Sequence, residues 1–259
     1  MYTIPRYTGK EDAGAVVWRK DWLNKLGITK VPETIDEFEE AFRKIAKGDP
    51  DGNGKADTYG MTGWGNFAIG LFDEIFGAYG VMPEQWNLID GKIVNGDVAD
   101  GSKQALERLH KWYTEGLIDP EFITETVSGE VEKFESGRLG TYFTTVSNYS
   151  ENTVVGREWL EKWKKIDPNA EFVFGPLPTG ANGESGGYLW GPRTNFVAFG
   201  SQVEDEPEKM KIIIKMLSDM ILDEETALMV NYGKKGVTYD YNDPEIGASS
   251  GIKYIGEYT

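Results

Sequence analysis

The chain has 259 residues, with 27 Lys plus Arg against 43 Asp plus Glu, a formal net charge of −16, no cysteine and a single histidine, His110. Such a chain repels phosphate backbones and anionic membranes, so nucleic acid is excluded as an expected partner. It cannot build a disulfide framework, a thiolate zinc site or a cysteine nucleophile, and carboxylates are its only abundant acid/base or metal-binding groups.

No segment approaches the roughly 20 apolar residues that a membrane span needs, and the opening Met1-Tyr-Thr-Ile-Pro-Arg6 lacks the apolar stretch of a signal peptide. From that opening, Ala15-Val16-Val17 reads as a strand after an extended entry. Trp18, Trp22, Leu23 and Leu26 fall at helical spacing, with Gly27 placed to stop the helix in a left-handed residue. Thr34-Ile-Asp-Glu37 matches a capping box, and Ile35, Phe38, Phe42 and Ile45 form the apolar stripe behind it. Further helical patterns run over 66–79, 102–115, 128–135, 151–165, 208–222 and 224–232, and short strands over 139–143, 171–174 and 195–199. Between the last two strands, residues 175–192 hold six Gly and three Pro, too irregular for a routine connection within one compact unit. The alternation predicts an α/β fold.

Asp49-Pro-Asp-Gly-Asn-Gly-Lys-Ala-Asp57 sets Asp49, Asp51, Asn53 and Asp57 at positions 1, 3, 5 and 9 of a loop whose sixth residue is Gly54. This is the spacing at which short oxygen side chains converge on a hard cation, with Lys55 offering its carbonyl at position 7. Position 12 is Gly60 rather than a bidentate Glu, so the pattern departs from an EF-hand after nine residues. The loop predicts a structural calcium ion; an Asx-rich turn capping its own backbone is the alternative.

The chain carries 8 Trp, 13 Tyr and 12 Phe, more than a core of this size requires. Trp18, Trp22, Trp112, Trp159 and Trp163 lie on helix stripes and are expected in the interior. Trp64 with Asn66, Tyr142 with Asn148 and Tyr149, and Tyr188 and Trp190 with Arg193 are instead flanked by glycine, amides or a guanidinium. Rings presented from loops can stack on the apolar face of a sugar while neighbouring polar groups bond its hydroxyls, or they can anchor their own loops. Acidic pairs at Asp73/Glu74, Glu132/Glu135, Glu204 to Glu208 and Glu224/Glu225 leave glycoside hydrolysis open as a second function, and a calcium-stabilised adhesion module is a third. His110 is expected on a helix flank without a catalytic role.

Three segments in order, Val17-Trp-Arg-Lys-Asp-Trp-Leu-Asn-Lys-Leu-Gly27, Val31-Pro-Glu-Thr-Ile-Asp-Glu-Phe38 and the Asp49–Asp57 loop, resemble the extracellular solute-binding proteins of carbohydrate ABC importers. The resemblance is to the Gram-positive lipoprotein group related to alginate-binding proteins. Gly116-Leu-Ile-Asp-Pro-Glu121 and residues 186–199 extend it. It implies a periplasmic-binding-protein-like (type II) fold of two α/β lobes, and a non-catalytic monomer holding an oligosaccharide in the cleft between them. It also implies delivery to membrane permease subunits, an extracellular lipoprotein in the full-length form, and calcium in the Asp49–Asp57 loop. Relatives place an acidic residue after that loop, where Thr58 stands here. On this reading the chain is a fragment: 1–17 as a crossing strand from a first-lobe segment, 18–174 as the main lobe, and 175–259 as the return crossing with helices packing toward the other lobe.

Overall fold

A computed structural model of the chain describes residues 3–7, 14–65, 71–145, 154–187 and 193–256. They fall into two compact units, Gly9–Pro192 and Met1–Thr8 with Arg193–Thr259. The boundaries near 8 and 192 differ from those read at 17 and 174. Strand β2 (Gly14–Arg19) is paired along both edges within the larger unit, and the described segment after residue 174 packs back on that unit, Thr179 pairing with Thr34.

The larger unit is built around a three-stranded antiparallel sheet of order β5-β2-β6, with β5 spanning Thr141–Thr145 and β6 Phe172–Gly175. In the register, Val17 faces Tyr142 on one side and Phe174 on the other. Side chains alternate across a strand, so Val16 and Trp18 enter one hydrophobic cluster and Val17 enters another. This pairing overrides the helical spacing read from Trp18. The helix there, α1, covers only Lys20–Lys25, and Arg19 ends the strand with bidentate contacts to Asp21 at 2.9 and 2.7 Å and a third bond to Asp167 at 2.9 Å.

The first cluster is filled by α1, α2 (Ile35–Lys47), α3 (Asp73–Gly77) and α4 (Asp100–Thr114). Thr34 closes the predicted capping box: its hydroxyl accepts from Glu37 N, and the Glu37 carboxylate accepts from Thr34 N. Trp18, Phe38, Phe42 and Trp112 stack edge to face down this core. The second cluster joins Phe134 of α5 (Val127–Glu135) and Trp163 of α6 (Val154–Ile166) to Tyr142 and Phe172. Sequence reading missed the hairpin of β3 (Trp86–Ile89) and β4 (Lys92–Asn95), although its Asp90-Gly91 turn, both residues at positive φ, is a strong hairpin signal. The helix expected over 66–79 is described only at Asp73–Gly77, where Phe72 starts it from a left-handed φ of 60°.

The smaller unit pairs β1 (Thr3–Tyr7) antiparallel with β7 (Arg193–Ala198), and adds α7 (Pro207–Leu222), α8 (Glu224–Tyr232) and a hairpin of β8 (Tyr239–Tyr241) with β9 (Ile252–Tyr254). Neither α7 nor α8 has a buried residue, and Ile212, Ile221 and Leu222 are 70%, 77% and 80% exposed. No helix of the described residues is long and apolar enough to cross a membrane.

Candidate functional site

The Asp49–Asp57 loop leaves the C-terminus of α2, with Asp49, Gly52 and Gly54 all in the left-handed region at φ 48°, 76° and 78°. The curl folds the chain over the Asp49 carboxylate, whose Oδ2 accepts from Gly54 N at 3.0 Å while its Oδ1 is buried with no partner. The Asn53 amide donates to Asp51 Oδ2 at 2.7 Å and to Asp57 Oδ1 at 3.0 Å, and Asn53 Oδ1 accepts from Lys55 N at 2.8 Å. Burial, and then the neighbouring Asp49 carboxylate, push Asp51 above the usual carboxylate range. Although burial opposes it, the neighbouring Asp51 carboxyl and the loop amides hold Asp49 below that range.

Three carboxylates, one of them with an orphaned buried oxygen, and an amide oxygen on one curl have the donor chemistry of a hard-cation site. The fit is incomplete. Among the described residues no group of three or more His, Cys, Asp or Glu side chains is gathered closely enough to hold a metal ion. Thr58 does not serve the loop either: it is buried, and its hydroxyl donates to Ile45 O at 2.9 Å, tying the loop exit to α2.

Trp64 is half-buried and sits between Gly63 and Gly65. Gly65 N donates to Phe122 O at 2.8 Å, and a Cβ at Gly65 would meet that same oxygen at 2.7 Å, so only glycine lets the backbone next to Trp64 dock there. Tyr142 is 8% exposed, its ring 5.8 Å from Phe134. It also borders a groove on the α5–α6 side of the sheet together with Trp159, an indole that helical spacing assigned to the interior and that is only half-buried. Trp18, Trp22, Trp112 and Trp163 are fully buried, as expected, and His110 is exposed. Arg193 opens β7 opposite Tyr7, in the smaller unit. Asn66, Asn148, Tyr149, Tyr188 and Trp190 lie outside the described residues.

The acidic pairs take positions that suit a hydrolase poorly. Asp73 and Glu74 are consecutive on a helix, hence about 100° apart, and cannot approach a sugar from opposite faces. Burial pushes Asp73 up to about 6 and Glu74 up to about 8, with smaller pushes from Glu84 on Asp73 and from Asp73 on Glu74. Glu130, nine-tenths buried on α5, is raised well above its ordinary value by burial and then by Glu74 and Glu125. For Glu74 the fold is favoured below the ordinary value of 4.5, and that stability is lost as pH climbs from there through about 8. Glu74→Gln is therefore expected to be more stable than the parent chain by about 2 kcal/mol at pH 8, with the gain gone at pH 4. Urea unfolding at the two pH values measures it, and an equal effect at both would refute the assignment. Glu135 is engaged through both oxygens, by Lys162 at 2.9 Å on each and by Trp163 Nε1 at 3.0 Å.

The α/β fold is of the periplasmic-binding-protein-like type II class, as the family match and the solved structures it superposes on show. Residues 3–197 match the family of bacterial extracellular solute-binding proteins, and the chain belongs to that family. Over 246 residues it is 26% identical to the polygalacturonan/rhamnogalacturonan-binding protein YtcQ of Bacillus subtilis (strain 168), covering 93% of this chain and 46% of that protein. It is 31% identical over 155 residues to the fructooligosaccharide ABC transporter substrate-binding protein FusA of Streptococcus pneumoniae, covering 57% of this chain and 28% of FusA. Among solved structures, alginate-binding protein AlgQ2 without calcium ion superposes at a TM-score of 0.69 with 21% identity, over 94% of this chain and 48% of AlgQ2. FusA in complex with kestose superposes at 0.65 with 20% identity, over 99% of this chain and 50% of that one. These two likenesses concern the fold. The chain thus spans less than half of YtcQ and FusA as sequences, and about half of the two solved structures.

Proposed function

We infer that the chain is part of the substrate-binding component of an ABC importer that takes up an oligosaccharide, binding it without chemistry. The observation that carries this reading is the glycine-docked presentation of Trp64, in a chain whose family binds solutes and whose sequence relatives include proteins named for binding polygalacturonan and fructooligosaccharide. An indole carried on a docked stretch of backbone offers a sugar ring a flat apolar face. Asn66, Tyr142, Asn148, Tyr149, Tyr188, Trp190 and Arg193 are the remaining residues assigned to ligand recognition. The partners on this reading are an oligosaccharide and the membrane permease subunits, and the location is extracellular, with lipoprotein anchoring in the full-length protein.

A structural calcium ion belongs to the same proposal, held by Asp49, Asp51, Asn53 and Asp57 and by the Lys55 carbonyl. The unpartnered Asp49 oxygen supports it. When bound, calcium would lock the exit of α2 and take no part in recognition. The separate clustering of the smaller unit, with the exposed apolar residues of α7 and α8, supports assigning it to a second lobe.

Calorimetric titration with neutral and uronic oligosaccharides tests the reading. Trp64→Ala is expected to weaken binding at least tenfold, about 1.4 kcal/mol, without altering the calcium response. Unchanged affinity in Trp64→Ala would remove the indole from the site.

A further inference from the structure

We propose that the Asn53-Gly54 peptide is a site of self-catalysed deamidation, promoted by the groups that the Asp49–Asp57 loop folds around it. Neither calcium nor a saccharide takes part, so the site stands apart from the proposed function. A glycine after asparagine leaves its backbone nitrogen open to attack the asparagine side-chain carbonyl, because no Cβ stands in the way. The chain has three such pairs, Asn53-Gly54, Asn95-Gly96 and Asn182-Gly183, and they differ in what holds the reacting atoms.

At Asn53 each part of the reaction has a group beside it. Gly54 N, the nucleophile, donates to Asp49 Oδ2 at 3.0 Å, so a carboxylate lies where its proton has to go. Lys55 N donates to Asn53 Oδ1 at 2.8 Å, which bends the side-chain carbonyl back toward the backbone and sets a donor where negative charge develops during attack. The amide nitrogen that has to leave donates to Asp51 Oδ2 at 2.7 Å and to Asp57 Oδ1 at 3.0 Å, and these anions favour the positive charge it gains on protonation. Asn53 and Gly54 are both exposed, and Gly54 has a left-handed φ of 78°.

Water is the only reactant added. Gly54 N bonds to Asn53 Cγ, the Cγ–Nδ2 bond breaks, and the proton lost from Gly54 N, relayed through Asp49, leaves with Nδ2 as ammonia. Water then opens the cyclic imide at either carbonyl. Attack at Cγ gives aspartate at position 53, and attack at the backbone carbonyl gives isoaspartate, whose main chain runs through the former side chain. Either product puts a fourth carboxylate into the loop and removes the amide that bridges Asp51 and Asp57.

The other two pairs lack this set. Gly96 is buried, and its N donates to Gln85 O at 2.8 Å at the base of the β3–β4 hairpin. Gly183 is exposed, but its N donates to the neutral Gly180 O at 3.1 Å, and no donor among the described residues reaches the Asn182 side-chain oxygen.

Peptide-mapping mass spectrometry of the whole chain, incubated in mildly alkaline buffer with a chelator, follows the amide-to-acid mass gain at all three pairs. Asn53 is expected to convert about tenfold faster than Asn182, with Asn95 slowest. In urea, where the pairs lose their surroundings, the three rates should converge. Asp49→Asn should bring Asn53 down to about the Asn182 rate, and the new asparagine is itself inert because Pro50 has no N–H. Equal rates at Asn53 and Asn182 in the folded chain would overturn the proposal. So would a ratio that persists in urea, since sequence alone would then set it, and an unchanged Asn53 rate in Asp49→Asn would remove the carboxylate from the reaction.

Discussion

Replacing Glu39 with alanine is expected to cost about 3–5 kcal/mol of stability, because it strips the anion from a site that collects three cations and an indole N–H. Glu39 lies on the buried side of α2, 7% exposed. It accepts from Arg43 at 2.7 Å, from Lys111 at 2.5 Å, from Trp112 Nε1 at 2.9 Å, and from Arg108. Burial alone would raise its pKa. The bonds from Lys111, Trp112, Arg43 and Arg108 outweigh that and hold the carboxylate well below the usual range. The sign follows: this contribution is present above the ordinary value of 4.5 and is lost as pH falls toward the depressed one. Without Glu39, Arg43, Arg108 and Lys111 converge with Glu115 and Asp36 as their remaining anions, and the Trp112 N–H is left buried and unsatisfied. Urea unfolding of Glu39→Ala at neutral pH checks the figure, and a loss below about 1 kcal/mol would mean that the network contributes little beyond its own desolvation.

Calcium is expected to move the thermal midpoint by a comparable amount. Saturation at about 1,000 times the dissociation constant adds about 4 kcal/mol through mass action on the folded state. In a unit of this size that corresponds to roughly 8–16 °C. Asp51→Asn should abolish the response, because Asp51 is the central carboxylate, bonded by Asn53 and pressed electrostatically by Asp49 and Asp57. Scanning calorimetry with excess calcium and then with a chelator makes the comparison. Superimposable curves would leave the loop as an Asx-rich turn that caps its own backbone.

Much of the fold was legible because local and global signals agree there. Thr34 and Glu37 form a capping box, and Ile35, Phe38, Phe42 and Ile45 share one helical face; both act within a few residues, so spacing alone finds them. Trp18 shows where that fails: its spacing from Trp22 reads as helix, but pairing with Thr141 and Val173, far away in sequence, makes it strand. Trp159 fails differently. Its position on an amphipathic helix predicts an interior indole, and only the distant packing of α5 and β5 decides that part of it borders a groove. The loop oxygens were visible as a one-dimensional pattern, whereas the orphaned Asp49 oxygen and the diversion of Thr58 to Ile45 depend on how the turn sits against α2. The raised carboxyls of Asp73, Glu74 and Glu130 had no signal in the sequence, since nothing in the spacing of acids reveals which of them lose their water.

The central claim is that this chain grips an oligosaccharide and leaves it unaltered. Equilibrium dialysis against radiolabelled kestose and oligogalacturonate, followed by chromatography of the sugar recovered from the protein side, tests it most directly. Retention of at least one of them with a dissociation constant of about 1 mM or tighter, and recovery at its original length, is the predicted result. Recovery of shorter products would make the chain an enzyme, and equal sugar on both sides of the membrane for every probe would contradict the account.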